Sequence, residues 1–201
     1  MILITGKHGF IGKRLSMGKK FTGRLENYQA VMKATYKMEG IIHLAAVSNK
    51  RLCEANPEKC IHSNLLGVYN VLEVALQRKI WVLFISSFAV REKSFYGLTK
   101  LMGEELCRVY QRKGLKVKVL RLPIVYGPGD KSDKVVTKII NELKQGIEPT
   151  INTSDDFYFA YVDDVARVIE NEVEVLKGGI GTQCNLHTLT EGIKECLKGD
   201  K

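Results

Sequence analysis

The chain predicts an α/β domain built on a doubly wound parallel sheet. Three observations predict it. Short apolar runs without polar alternation recur along the chain, as expected of strands covered by helices on both faces. Longer stretches of helical periodicity separate them, which is the rhythm of βαβ units. A glycine-rich turn follows the first apolar run directly. The composition agrees: 201 residues, 45% hydrophobic and 26% charged, enough for one compact domain whose core needs neither disulfides nor a metal.

The expected strands are Ile2 to Thr5, Gly40 to Ala45, Ile80 to Ser86 and Lys116 to Arg121, each rich in Ile, Val or Leu. Helical patterns fill the intervals: Tyr28 to Met38, Pro57 to Arg78, Tyr96 to Lys113, Lys131 to Gln145 and Asp163 to Leu176. A short strand near Gln183 to Leu186 and a helix from Thr188 to Leu197 close the chain. Pro123 and Gly127-Pro128-Gly129 mark the one candidate boundary, after which the chain becomes irregular. The expected organisation is a single domain over 1–201, with 123–160 and 178–201 as a reduced portion on the carboxyl edge of the sheet.

No apolar run approaches the ~18 residues that span a bilayer, and the longest, Ile80 to Val90, is interrupted by Ser86 and Ser87. Met1 to Gly6 read as a strand entering a turn rather than a secretory leader, so the expected location is the cytoplasm. Cys53, Cys60, Cys107, Cys184 and Cys196 are odd in number and lack metal-ligand spacing. They are expected to be reduced, buried small hydrophobes, with no metal site. Thirty-one Lys plus Arg against 22 Asp plus Glu gives a net charge of +9. The excess gathers in the first forty residues, at Lys7, Lys13, Arg14, Lys19, Lys20, Arg24, Lys33 and Lys37. No aromatic residues interleave these charges as in single-strand binders, so a solvated basic face and a nucleic-acid surface both stay open.

Three constellations carry chemistry. Gly6, Gly9 and Gly12 form a GxxGxxG spacing between the first strand and an expected helix. Such glycines permit a tight turn and close backbone approach to a pyrophosphate, with the helix N-terminus offering N–H groups to the anion. Tyr96 and Lys100 stand at i and i+4, one above the other on a helix face. A fixed cation there draws the phenol pKa down toward neutrality, where the phenol can act as acid or base. Ser86 and Ser87 end the preceding strand, where open parallel sheets place their ligand crevice. His43, His62 and His187 share no ligand spacing, and Asp163-Asp164 read as a helix cap rather than a catalytic pair.

Taken with Ile42-His43-Leu44-Ala45-Ala46, Asn64-Leu65-Leu66-Gly67, Leu120-Arg121-Leu122-Pro123-Ile124-Val125-Tyr126-Gly127-Pro128-Gly129 and Tyr161-Val162-Asp163-Asp164, these motifs resemble the NAD-dependent epimerase/dehydratase family, the extended short-chain dehydrogenase/reductases. The resemblance implies a Rossmann-like doubly wound sheet, abbreviated in its first half, with a reduced C-terminal substrate lobe. It implies Ser87, Tyr96 and Lys100 as the catalytic set. Ser87 rather than Ser86 is chosen because the family's hydroxyl stands three residues before a valine, here Val90. It further implies Gly6, Gly9, Phe10, Ile11, Gly12, Ala45, Ala46, Asn64, Tyr96 and Lys100 as contacts to NAD or NADP. A nucleotide sugar is the implied substrate, and a homodimer through Pro57 to Arg78 and Tyr96 to Lys113 the implied assembly.

Several positions depart from the family. About thirty residues separate Gly12 from Ile42, roughly half of what a complete βαβαβ half needs, so the second strand and its helix are expected to be missing or rudimentary. The family's acidic ribose ligand has no counterpart, and Arg14, Lys19, Lys20 and Arg24 leave NAD against NADP open. Arg91 stands where a tyrosine is usual, Ile124 in place of an asparagine, and Phe157 near an absent phosphate-binding arginine. Phe88-Ala89 replace the Asp-Glu pair of 4,6-dehydratases, which leaves epimerisation, reduction or oxidation at a carbinol carbon. The competing expectation is a non-catalytic dinucleotide-binding module with a nucleic-acid or protein partner.

Overall fold

The computed structural model describes residues 1–130, 135–145, 147 and 158–177. Five parallel strands form the main sheet: β1 (Ile2–Thr5), β2 (Lys19–Lys20), β3 (Gly40–His43), β4 (Trp81–Ser87) and β5 (Val117–Leu122), in the order β2-β1-β3-β4-β5. Each central strand is buried because its alternate residues meet different helices. Leu3, Ile41, Val82, Phe84 and Val117 point into a core closed by α1 (Tyr28–Ala34), α4 (Gly67–Arg78) and α5 (Phe95–Arg112). Ile2, Ile4, Ile42, Leu83 and Ile85 point the other way, onto α7 (Val162–Lys177). The architecture is therefore a Rossmann-like three-layer sheet. A two-stranded parallel sheet of β6 (Ile124–Tyr126) and β7 (Phe159–Tyr161) stands beside it, with α6 (Val135–Lys144) between them in sequence.

The first half is abbreviated in a manner that differs from expectation. The second strand exists but has two residues, paired Leu3 to Lys19 and Ile4 to Lys20. The helix expected to open at the glycine turn is replaced by one 3-10 turn, Gly12–Arg14. Lys13, Arg14 and Leu15 close short backbone bonds to Gly9, Ile11 and Gly12, and then Gly18, at φ 82, turns the chain into β2. The anion-binding helix N-terminus anticipated there is absent, because Gly12 and Gly18 leave too few residues between them for a helix to propagate. The chain passes from β2 across β1 to β3, so strand order reverses between β1 and β3. That reversal is where an open α/β sheet leaves a crevice beyond its carboxyl ends.

The helix expected from Pro57 to Arg78 is also interrupted. It begins as α3 (Pro57–Ile61), widens into a π turn at His62–Leu66 and resumes as α4. A short preceding helix, α2 (Lys50–Ala55), carried no sequence signal. Asn56 ends α2 and caps α3 by accepting from the Lys59 amide at 3.0 Å. The turn it makes brings Cys53 and Cys60 to a Cα separation of 5.1 Å, where they form a disulfide. This corrects the expectation that these two are reduced; Cys107 is free and buried. The expected elements at Gln183 to Leu186 and Thr188 to Leu197, with Cys184, His187 and Cys196, lie outside the described residues, as does Phe157. Among the described residues no helix is long and apolar enough to cross a membrane.

Candidate functional site

The glycine turn leaves β1 at Gly6, whose φ of 74 is open to glycine at little cost. A Cβ on Gly6 would meet the Ala45 main-chain nitrogen at 2.8 Å, and one on Gly12 would meet the Gly6 carbonyl oxygen at 2.3 Å. The turn thus folds on itself and against the strand that follows the reversal. Gly9 N–H donates to the Gly6 carbonyl at 2.9 Å and Lys13 N–H to the Gly9 carbonyl at 3.0 Å. In a trans peptide the C=O and the next N–H are antiparallel, so the engaged Gly9 carbonyl fixes the direction of the Phe10 amide. Lys7 curls back to donate to the carbonyls of Leu15 and Met17, so its ammonium is spent on the turn's exit.

Ala45 and Ala46 follow β3 directly beside this turn. The Ala45 amide donates to Thr5 Oγ1 at 3.2 Å, and the same hydroxyl lies 2.9 Å from His43 Nδ1. His43 is 1% exposed, stacks on Phe84, and is held neutral by burial, with the charge of Lys100 adding to a pKa of about 3. It is a packed strand-end residue. Asn64, in the π turn, accepts from the Val47 amide at 2.7 Å and donates to the Val47 carbonyl at 3.1 Å and Thr99 Oγ1 at 3.0 Å. Its amide thus ties the segment after Ala46 to the residue before Lys100.

The third group converges from β4 and α5. Ser87 ends β4 and caps the 3-10 turn Phe88–Arg91, accepting from the Ala89 amide at 3.2 Å. Ser94 caps α5 by accepting from the Gly97 amide at 3.1 Å. That start sets Tyr96 against Cys53, Cys60 and Ala89, where it is 9% exposed. Burial pushes the Tyr96 phenol up to about 12, a hydrogen bond from Ser87 opposing it and the charge of Glu92 adding to it. The expected depression toward neutrality is therefore reversed in this state. Lys100 does not offset that burial: its Nζ donates to the Ile85 carbonyl at 2.8 Å and sits over the Phe84 ring. Burial brings Lys100 down to about 8 against the charges of Cys107 and Glu104.

One further residue of this cluster, Glu104, escaped the sequence reading. Glu104, 2% exposed and one turn beyond Lys100, accepts from Ser86 Oγ at 2.6 Å and from Arg121 at 2.8 and 2.6 Å. Burial works to raise its pKa, but the bonds from Arg121 and Ser86 and the nearby guanidinium charges hold it below the usual carboxylate range. The i+8 spacing from Tyr96 on a buried face was the available signal. Ser86 is thereby turned into the core and Ser87 toward Tyr96. Asp163 and Asp164, in the first turn of α7, pair with Arg14 and Arg167. A cleft of about 740 Å³ at the amino ends of the strands, lined by Lys79, Trp81, Lys113 and Lys116, shares none of these residues. Among the described residues no cluster of His, Cys, Asp or Glu could hold a metal ion.

A model of the family described as NAD dependent epimerase/dehydratase matches residues 19–174. That span contains Ser87, Tyr96 and Lys100 and begins after the glycine turn. A UDP-glucose 4-epimerase of Rickettsia canadensis is 30% identical over 156 residues, 75% of this chain and 46% of the relative. The chain spans about half the length of the curated relatives it matches, between 46% and 53% for those of Rickettsia canadensis and Arabidopsis thaliana. Among solved structures, UDP-glucose 4-epimerase of Thermotoga maritima with UDP-glucose superposes at a TM-score of 0.75 and 23% identity, covering 100% of this chain and 83% of that one. MoeE5 in complex with UDP-glucose and NAD superposes at 0.74 and 25% identity, covering 91% and 76%.

Proposed function

The chain belongs to the NAD-dependent epimerase/dehydratase family, and from that premise we propose that it is an NAD(P)-dependent epimerase or reductase acting on a nucleotide-linked sugar. The observation that carries the reading is the convergence of Ser87, at the end of β4, and the buried Tyr96 near the start of α5, close enough for the Ser87 hydroxyl to favour the phenolate. It stands with Lys100 one helical turn on and the glycine turn and Ala45 at the neighbouring strand ends. The donor set fits a dinucleotide: the glycine turn has no room for a Cβ on Gly6 or Gly12, and small Ala45 and Ala46 flank it. Gly6, Gly9, Phe10, Ile11 and Gly12 would meet the pyrophosphate through their backbone. Asn64 would act through Val47. No acidic side chain occupies Phe21-Thr22-Gly23-Arg24 after β2, and Arg24 is exposed, so a 2′-phosphate is accommodated as readily as a hydroxyl.

A bound nicotinamide would accept hydride in its oxidised form and supply it in its reduced form. In the reductive direction Tyr96 is protonated across the neutral range and delivers its O–H proton to the carbonyl oxygen as hydride reaches the carbon. In the oxidative direction the carbinol C–H leaves as hydride and the O–H proton goes to Tyr96. That step needs phenolate, whose formation Ser87 favours by hydrogen bonding. Phe88 and Ala89 offer no acid or base beyond Ser87, so elimination of water is not part of the reading.

The same reading includes a homodimer. Leu98, Leu101, Met102 and Val109 are exposed on α5 and Tyr69 on the adjoining α4, an apolar face that pairing of two copies would cover. Sedimentation at micromolar concentration should give twice the chain mass; a monomer would count against it.

The direct test is turnover of UDP-hexoses with NAD or NADPH by the wild type and Tyr96→Phe. The substitution should abolish turnover and leave NADH binding in place. Retained turnover would overturn the assignment of Tyr96. Salt-dependent RNA or DNA binding without dinucleotide binding would favour the non-catalytic alternative.

A further inference from the structure

We propose that Arg14 is the positioning residue of the glycine turn, taking over the task that a helix performs where one follows such a turn. The proposal rests on the dinucleotide reading above for its functional consequence. Without a helix, the turn has no intrahelical ladder to hold its peptides in one orientation. Three charged contacts replace it. Lys7 holds the Leu15 and Met17 carbonyls. Ser16 donates through both its amide and its hydroxyl to Glu170 on α7, at 2.7 and 2.8 Å. Arg14 bonds to the most separate segments of the three.

The Arg14 guanidinium donates through Nη1 to the Phe10 carbonyl at 2.9 Å, through Nε to Asp163 Oδ1 at 2.9 Å and through Nη2 to the Pro128 carbonyl. It also lies over the Phe10 ring, 4.8 Å from its centroid. Its partners therefore come from the turn itself, from the loop after β6 and from the first turn of α7. The planar guanidinium presents donors from three separate nitrogens in fixed directions, a spread that the three donors of a lysine ammonium, all on one atom, do not reproduce. Asp163 is placed to orient it, since a carboxylate is favoured in the first turn of a helix.

The consequence follows from peptide geometry. Fixing the Phe10 carbonyl fixes the Ile11 amide in the opposite direction, as the Gly9 carbonyl does for Phe10. Two successive amides are thus held in place for an anion, that of Phe10 through the Lys13 bond to the Gly9 carbonyl and that of Ile11 through a side chain anchored to α7 and to the β6 exit. Cofactor affinity is thereby linked to the position of the second sheet.

The test compares wild type, Arg14→Met, Arg14→Lys, Asp163→Asn and the double variant Arg14→Met/Asp163→Asn. Methionine keeps an apolar stem against Phe10 and removes the fork. NADH titration should show affinity about tenfold weaker in Arg14→Met, the loss of one charge-assisted bond, with Arg14→Lys between it and wild type. The double variant should be no weaker than Arg14→Met, because Asp163 acts through Arg14. Hydrogen exchange at the Gly9, Lys13 and Leu15 amides should be about tenfold faster in Arg14→Met and unchanged in β4. If wild type binds no dinucleotide, the cofactor reading falls and the exchange rates alone decide the role of Arg14. Unchanged exchange in the turn, or wild-type NADH affinity in Arg14→Met, would overturn the proposal.

Discussion

Replacing Gly12 by alanine places a methyl group where main chain already stands. The new Cβ would lie 2.3 Å from the Gly6 carbonyl oxygen, 2.7 Å from Lys7 Cα and 2.9 Å from the Lys7 carbonyl carbon. Carbon atoms pack at about 3.5–4.0 Å. All three neighbours are backbone, so no rotamer change relieves the overlap and the turn must open by roughly an ångström. Gly6 is itself confined, since even a Cβ built on it would meet the Ala45 nitrogen at 2.8 Å and the Leu44 carbonyl carbon at 3.0 Å. Overpacking of this kind costs about 1–3 kcal/mol, and ~2 kcal/mol lowers the Tm of a chain this size by about 4–8 °C. Gly9→Ala is the internal control, because its Cβ would meet only the Gly6 carbonyl oxygen, at 3.1 Å. Thermal unfolding and NADH titration of both variants decide the matter. If Gly12→Ala unfolds at the wild-type temperature and matches Gly9→Ala in NADH affinity, the description of the turn is wrong.

Three other outcomes are expected. Glu104→Ala leaves Arg121 and Ser86 without their buried acceptor, a loss of about 3 kcal/mol in urea unfolding; a wild-type midpoint would contradict it. His43 stays neutral in the folded chain down to about pH 3, where the unfolded chain takes up a proton from about 6.5. Stability is therefore complete above pH 6.5 and falls with acidification toward pH 3, by up to ~1.4 kcal/mol per pH unit from this group. His43→Gln should flatten that limb between pH 7 and 4.5, and identical limbs would contradict the assignment. Reduction of Cys53–Cys60, which close a loop of sequence separation 7, should cost ~2 kcal/mol on the chain-entropy account. An unchanged Tm with dithiothreitol in wild type would contradict the bond.

The central strands were legible because burial on both faces leaves an uninterrupted apolar run, and Ile2–Thr5 appears with the bounds read from the sequence. Lys19–Lys20 was illegible for the opposite reason: two exposed lysines carry no pattern and become a strand only through their ladder to β1. The 3-10 turn after Gly12 defeated the motif reading, since the glycine spacing is compatible with a helix that the following residues do not supply. In the candidate site, the glycine turn, strand-end Ser87 and the helical pair Tyr96 and Lys100 could be picked out because they fall in order, one per successive element. What the order could not show is that the Lys100 ammonium goes to the Ile85 carbonyl and that burial of Tyr96 raises the phenol pKa instead of lowering it. Arg14 had no local signal at all, because two of its acceptors lie 149 and 114 residues away. The pairing of Cys53 with Cys60 depends likewise on the turn at Asn56 and not on a recognisable spacing.

Every catalytic role assigned to Ser87, Tyr96 and Lys100 requires a dinucleotide at the carboxyl ends of β1 and β3. The most direct test is titration of the wild-type protein with NADH and NADPH, followed by nicotinamide fluorescence and by thermal shift. Saturable binding with a matching rise in Tm is the predicted result, with NADPH bound as well because no acidic side chain guards the end of β2. A folded protein that binds neither would contradict the account.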